Sequence, residues 1–412
     1  MNIKNISENH ICTACGACAL VCPKQAVTLE ETPAGFLAAQ VSDACVDCGL
    51  CRKVCPSVAE NTGKYAPEDL LHGPCLAAFT GYATDPALRQ NGQSGGLVTA
   101  LLCYLLEDKQ IDGAVVTGFN AGRSRPEARI ARTREEVLSC AGSYYAQCPT
   151  LPVLAGKHER LAAVTLGCQT DALTLLKEHR PELVPELTIG LVCAGQNSGR
   201  MIDDICQQAN TDRPDAFRFR DKSPGGWPGE ITLRKHGQTS TLPNAYRHSI
   251  KPVYECHRCL ACFDQMNVNA DLVCGDPWGL EEHLGPEGCT AVLARTEQGL
   301  RLLVQAQIAG LVHLDQLTPQ EIFRGQTVDT RHSDKVYTAK TVFQSEGWLY
   351  PYDPEVIGDR PYTSKVMEKN RKTLLYTRKY AQAPTAQAAA EIAQRKKDKK
   401  LPLTARLKKL FK

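Results

Sequence analysis

Eight cysteines near the start of the chain have the type and spacing to do redox chemistry. They fall in two runs, Cys12-Thr-Ala-Cys15-Gly-Ala-Cys18-Ala-Leu-Val-Cys22-Pro23 and Cys45-Val-Asp-Cys48-Gly-Leu-Cys51-Arg-Lys-Val-Cys55-Pro56. Every cysteine, the glycine and the proline recur at one offset of 33 residues. Each run has the C-x2-C-x2-C-x3-C-P spacing that holds a 4Fe–4S cube. Three thiolates on a tight loop cap three irons, and the proline then turns the chain away. A disulfide framework would need an oxidising compartment. A zinc site needs only four ligands and usually keeps its C-x2-C pairs well apart. Iron–sulfur chemistry accounts for the pattern, so electrons pass through this protein.

Three further places carry chemistry. Cys256-His-Arg-Cys259-Leu-Ala-Cys262-Phe-Asp264 puts three cysteines in seven residues without the closing proline. Buried structural cysteine explains lone residues such as Cys75 or Cys103, but not such a cluster. Beside two cubes, a third 4Fe–4S cube fits it better than zinc. Cys168 and Cys193 each follow an apolar run and sit next to glycine or near it, where strand ends of α/β folds place ligands; core packing explains either one alone equally well. Gly92-Gln93-Ser94-Gly95-Gly96 precedes a helix, where free N–H groups can cradle a phosphate. Ser94 could equally cap that helix.

The elements that must position these residues follow from periodicity. Short strands over 26–29 and 36–41 flank Pro33-Ala-Gly35 between the two cysteine runs. The polar stretch 60–69 reads as a linker. Strands over 76–82, 113–119, 161–166 and 187–192 alternate with helices that begin near Leu97, Thr133, Thr170 and Ser198. Thr133-Arg-Glu-Glu136 is a capping box. From Phe217 the pattern turns to β, with 230–234 and 239–242 pairing across His236-Gly-Gln238. Strand, helix and strand follow over 290–295, 297–309 and 311–314; beyond about 320 no pattern is clear. The expected architecture is an α+β ferredoxin-type domain over 1–62, then a larger α/β domain over 74–330 with a mixed sheet and inserted β hairpins. A C-terminal extension over 331–412 ends in a basic tail.

Composition is that of a globular protein, with 43% hydrophobic and 23% charged residues in 412. The N-terminus has no apolar core of a signal peptide, and no run approaches the length of a membrane span. Twenty cysteines then suit a reducing cytoplasm. The net charge of +3 hides an asymmetry: residues 365–412 carry 15 Lys/Arg against 3 Asp/Glu. Such a tail is read first as solvated chain, and otherwise as contacting an acidic partner or a membrane surface. Its last twelve residues would make a short basic amphipathic helix. Nucleic acid is not expected, because no aromatics interleave with the charges.

The first 60 or so residues resemble bacterial two-cluster ferredoxins. In that family the fourth cysteine of each run ligates the other cube. The resemblance therefore implies Cys12, Cys15, Cys18 and Cys55 on one cube, and Cys45, Cys48, Cys51 and Cys22 on the other. Residues 74 to 330 resemble the beta subunits of deazaflavin-coenzyme hydrogenases and dehydrogenases, with their chlorophyllide-reductase relatives. The likeness is carried by Gly92-Gln-Ser-Gly-Gly-Leu-Val-Thr-Ala-Leu101, Gly142-Ser-Tyr-Tyr145, Gly167-Cys168-Gln169 and Cys193-Ala-Gly195. Phe217-Arg-Phe-Arg-Asp-Lys222 with Gly226-Trp227, Cys259-Leu-Ala-Cys262-Phe-Asp264, Ala270-Asp271 and Gly275-Asp-Pro-Trp-Gly279 complete it.

This second resemblance implies bound FAD, with Gln93, Ser94, Gly95, Gly96, Thr99, Ser143 and Tyr144 as its candidate contacts, and a 4Fe–4S cluster close by. The family has two cysteines in the third loop and one each at the positions of Cys168 and Cys193. Cys256 is thus a fifth candidate, either replacing a strand-end ligand or standing spare. The expected function is an iron–sulfur flavoprotein oxidoreductase, fed by a redox partner or reduced donor and passing electrons to a small-molecule acceptor. An electron-input subunit acting on the deazaflavin coenzyme, and a non-enzymatic ferredoxin-like carrier, are the alternatives. No catalytic acid stands out; Tyr144, Tyr145, Lys222, His257 and Asp264 are candidates by location only.

Overall fold

A mixed eight-stranded sheet carries the molecule. The computed structural model describes residues 2–280, 283 and 285–380. An N-terminal hairpin, β1 (Val27–Glu31) and β2 (Leu37–Val41), pairs antiparallel between the cysteine runs. The main sheet then takes β3 (Ala77–Ala83), β4 (Gly113–Asn120), β5 (Arg125–Ala131), β6 (Leu161–Thr165) and β7 (Leu187–Leu191). A separate antiparallel sheet is made by β8 (Ala216–Asp221), β9 (Glu230–Lys235) and β10 (Gln238–Leu242). β11 (Leu272–Gly275), β12 (Thr290–Ala294) and β13 (Val312–Leu317) complete the main sheet. Its order is β13-β3-β12-β11-β7-β6-β4-β5, with β11, β7, β6 and β4 parallel and the flanking pairs antiparallel.

Six longer helices surround these sheets: α1 (Leu97–Glu107), α2 (Gly167–Lys177), α3 (Arg200–Gln208), α4 (Asn244–Tyr254), α5 (Glu297–Ile308) and α6 (Ser333–Ser345). A seventh, α7 (Ser364–Tyr380), closes the described chain. The parallel strands are buried, apolar runs such as Leu161-Ala-Ala-Val-Thr165, as a sheet covered on both faces requires. The expected strands and the hairpin across His236-Gly-Gln238 are present. The expected helix at Thr170 instead starts at Gly167, because the Gln169 side chain reaches back to accept from the Leu166 N–H at 2.9 Å. Cys168 therefore lies in a first helical turn.

One expectation fails on packing grounds. Residues 60–69 are not a loose linker: Ala59–Asn61 and Thr62–Tyr65 form short helical turns, and Thr62 and Tyr65 are buried. The extension past residue 331 packs on the rest of the chain. Phe343 stacks on His257, Tyr352 lies tilted against Phe263, and the Asp353 N–H donates to Thr62 Oγ1 at 2.9 Å. The first part of the basic tail is α7, whose Leu374 and Thr377 are buried and whose Arg378 lies over the Trp348 ring. The remainder of the tail, including the amphipathic stretch read over 401–412, lies outside the described residues. One continuous apolar core runs from Ile3, Ile11 and Val54 through Leu151 and Phe263 to Phe343 and Tyr352. It joins the cysteine-rich N-terminus, the main sheet and the extension. Gly16 marks how closely they meet, since a Cβ there would lie 2.4 Å from Pro152 Cδ, and its φ of +89° suits only glycine.

Candidate functional site

The structure gathers thirteen cysteines in three neighbouring groups. Cys12 and Cys15 lie on the loop entering the helix Ala17–Val21, Cys18 lies in its first turn, and Cys55 comes from the second run. Burial raises the Cys18 thiol well above its ordinary value, and charge on Cys12, Cys15, Cys55 and Cys51 adds to it, so thiols of both runs lie near it. Burial likewise raises Cys51, whose next thiol neighbours are Cys45 and Cys48. Cys48 is exposed, which puts this second group at the surface. Cys22 ends the helix Ala17–Val21 and accepts from the Ala26 N–H at 3.3 Å. That helix packs against Leu50–Lys53 of the second run.

The inner group comes from three elements. Cys168 stands in the first turn of α2, Cys193 just past β7, and Cys259 and Cys262 in and after the tight turn His257–Leu260. Burial lifts Cys168, and the charges nearest it are Arg258, Cys15, Cys259 and Cys193. Cys193 is pushed up to about 12 by burial, then by Cys259 and Cys262. Cys256 lies between this group and the first: its Sγ is 4.0 Å from the Cys12 carbonyl oxygen and accepts from Gln147 Nε2 at 3.3 Å. The neighbouring Cys259 and burial raise the Cys256 thiol above its ordinary value, so Cys256 stands beside the inner group as well as the first.

Two observations test these groups against anionic cubes. N–H groups aim at the sulfurs: Ala14 at Cys12 (3.4 Å), Gly195 at Cys193 (3.4 Å), and Gln196 at Cys259 (3.4 Å) and, through its side chain, at Cys168 (3.7 Å). Hydrogen bonds to the sulfurs are among the levers that set a cluster potential. Arg258 is 1% exposed, bonded only to neutral groups, Ser57 Oγ (3.3 Å) and the Pro56 carbonyl (3.4 Å), with its guanidinium 4.6 Å from the Tyr352 ring centre. No carboxylate ion pair holds it among the described residues. An unpaired buried cation is costly. Here its charge acts on Cys12, Cys15 and Cys55 to one side and on Cys168, Cys259 and Cys262 to the other. Thiolate-bound cubes fit this arrangement. No three His, Cys, Asp or Glu side chains among the described residues are grouped to hold a single metal ion.

Beside the inner group opens a cavity of about 360 Å³. Gln93, Ser94, Gly96, Thr99, Ser143 and Tyr144 line it together with Cys193 and Gln196. Gly95 does not, for a local reason. Its N–H already donates to Thr290 Oγ1 at 3.0 Å, and a Cβ there would meet the Gly81 carbonyl at 2.5 Å. It is glycine to pack on β3, not to admit a ligand. Ser94 is not the helix cap either; Gly96 holds that place, and Ser94 Oγ donates to Asp276 Oδ1 at 2.5 Å. The amides of Leu97, Val98 and Thr99 precede the first bond of α1, Ala100 N–H to Gly96 O, and those residues line the cavity.

Of the candidate acids, Tyr144 and Tyr145 line the cavity; burial pushes Tyr144 up to about 12. Lys222 is bound to three carbonyls, of Arg89, Ser94 and Glu287, and holds the loop in place. His257 is buried beneath Phe343 and Trp348, and burial lowers it to about 3, so its ring is uncharged at neutral pH. Asp264 is buried and accepts from the Val268 N–H at 3.0 Å, away from the cavity. Sequence reasoning missed Arg220, Asp276 and Arg247, all lining the cavity. Arg220 and Asp276 sit in motifs that carry the family likeness, but nothing in their neighbours gives either a role. Arg247 was discoverable from the spacing of Asn244, Arg247, His248 and Lys251, which share one helical face.

Comparison with known proteins places the chain. Residues 78–155 match the family described as coenzyme F420 hydrogenase/dehydrogenase, beta subunit N-term, and residues 158–320 match its C terminus. Residues 11–59 match a 4Fe-4S dicluster domain. The chain belongs to this beta-subunit family, and carries a 4Fe–4S segment ahead of it. It is similar to the coenzyme F420 hydrogenase subunit beta of Methanosarcina barkeri, 24% identical over 59% of this chain and 83% of that one. It is also similar to an F(420)H(2) dehydrogenase subunit of Methanosarcina mazei, 27% identical over 72% and 82%. The coenzyme F420-dependent sulfite reductase of Methanocaldococcus jannaschii is 26% identical over 76% of this chain, which spans about half, 49%, of that protein. Among solved structures, a chain of the F420-reducing [NiFe] hydrogenase complex from Methanosarcina barkeri shares the fold. Its TM-score is 0.52 at 22% identity, covering 72% of this chain and all of that one. No helix among the described residues is long and apolar enough to cross a membrane.

Proposed function

We propose that this protein is an iron–sulfur oxidoreductase that carries electrons from its two N-terminal cubes, through a third, to a flavin in the cavity and on to a small-molecule acceptor. The ligands are Cys12, Cys15, Cys18 and Cys55; Cys45, Cys48, Cys51 and Cys22; and Cys168, Cys193, Cys259 and Cys262. The observation that carries this reading is the cavity wall itself. The first turn of α1 and Cys193 line the same 360 Å³ space, so a cofactor seated on that turn lies beside the inner ligands. FAD suits it, because the α1 amides can hold a pyrophosphate. A bound flavin would join one-electron to two-electron chemistry. The residues around it bind and orient: Lys222 fixes the Ser94 carbonyl, and Gln196 bonds both Cys168 and Cys259.

The exposed second group suits entry of electrons from a partner protein. Relatives named as subunits of F420 hydrogenases and dehydrogenases support such a partner, and support the deazaflavin coenzyme as the acceptor. The test is anaerobic purification with assay of metal and flavin. The reading expects about twelve iron and twelve sulfide per chain, four of each per cube, and one FAD. About eight of each, with Cys259 and Cys262 freely alkylated, would remove the inner cube. Absence of FAD from protein that also binds none on addition would leave an electron carrier. Turnover with reduced deazaflavin coenzyme decides the acceptor.

A further inference from the structure

Two buried guanidiniums and one carboxylate line one wall of the cavity. Arg220, whose side chain is 2% exposed, pairs with Asp276, whose other oxygen is taken by Ser94. Arg220 Nε donates to the Pro228 carbonyl at 2.7 Å, and Nη1 also reaches Tyr145 Oη at 3.4 Å. Its Nη2 is buried with no partner among the described residues. Arg247 is 7% exposed and stands 4.0 Å over the Tyr145 ring. Its contacts are Asn244 Oδ1 (3.3 Å) and His248 Nε2 (2.9 Å), with no carboxylate ion pair among the described residues. Lys251, one turn on, is matched by Glu255 at 3.2 Å and bonded to the Ala194 carbonyl. Arg220, Arg247 and Asp276 thus leave one positive charge and one unfilled donor in a buried wall. Proteins rarely leave either unpaired.

We propose that Arg220 and Arg247 form a subsite for a single anionic group, a carboxylate or phosphate, of a molecule bound in the cavity. A planar guanidinium with a spare N–H suits both. Asn244 and His248 hold Arg247 from the same face of α4, and the Tyr145 ring supports it. The inference rests on the cavity being the cofactor and substrate site. Two sources supply such a group: the flavin's own phosphate, or the acceptor.

The test uses inorganic phosphate as probe on full-length, anaerobically purified protein, both as isolated and after release of its flavin. Binding is followed by calorimetry and by tryptophan fluorescence, since Trp227 lies 5.7 Å from the Arg220 guanidinium and Trp278 lines the cavity. Saturable binding is expected, weakened at least tenfold in Arg247→Gln and less in Arg247→Lys, with iron content unchanged. A response in protein that retains flavin assigns the subsite to the acceptor. A response only after flavin release assigns it to the flavin phosphate. No saturable binding in either form, or equal affinity in wild type and Arg247→Gln, overturns the subsite. Arg247-dependent phosphate binding in a protein that takes up no flavin would sink the cofactor reading and leave the subsite standing.

Discussion

Among single residues, the fifth cysteine separates ligand from neighbour. Because Cys256 Sγ accepts from Gln147 Nε2 and donates to the Cys12 carbonyl oxygen, Cys256→Ser keeps a polar group in place and should retain the full iron complement. Cys168→Ser and Cys193→Ser should each lose about four iron. The reverse result would make the local three-cysteine loop the ligand set. Arg258 yields a second test, because cluster potential follows net local charge. Arg258→Gln should shift the first and inner cubes to more negative midpoints and leave the surface cube unmoved in an EPR-monitored titration. His332 provides a pH dependence. It is buried, its Nε2 lies 2.7 Å from the Phe263 carbonyl and so donates there, and burial lowers it to about 4. Between pH 6.5 and 4 the unfolded chain takes up a proton that the fold excludes. Stability should therefore fall as pH drops through that window, by about 1.4 kcal/mol per unit from this site. Anaerobic melts at pH 7, 6 and 5 check it, and His332→Gln should flatten the slope.

For the elements, the Ser-Gly-Gly loop shows how adjacent glycines in one motif can serve different contacts. Its glycines were expected to admit a phosphate. Gly95 instead lets the loop close on β3, so even Gly95→Ala should destabilise the fold by about 1–3 kcal/mol whether or not flavin is bound. Denaturation of flavin-free protein measures this; an unchanged midpoint would contradict it. Other elements escaped notice for definable reasons. α4 contains Pro252 and follows Pro243, both of which read as breaks. β5 carries Pro126 and three charged residues, tolerable because it is an edge strand paired only with β4. β11 is four residues long, too short to show a period.

At the scale of the whole molecule, the N-terminal cysteine loops, the main sheet and the extension share one core. α7 covers Trp348 through Arg378, which also donates to the Asn9 carbonyl. A chain stopped before Ser364 should therefore lose soluble, cluster-loaded protein, whereas one stopped after Tyr380 keeps these contacts. Iron content of the two truncations decides between this and a dispensable tail.

Local rules settled much in advance. Cysteine spacing, strand alternation and capping residues act within a few neighbours, so the two ferredoxin-type runs, the parallel strands β4, β6 and β7 and the Thr133 cap were legible in the chain. Thr133 Oγ1 does accept from the Glu136 N–H, at 3.3 Å. What required the tertiary structure were relations between distant residues. Ser94, Arg220 and Asp276 are bound together though 126 and 182 positions separate them from Ser94. Cys256 turned to Cys12, and Arg258 buried between two thiol groups, depend on how the N-terminal loops dock against the sheet. No local periodicity encodes that docking; burial of the shared apolar core decides it, and with it which charges are left facing the cavity.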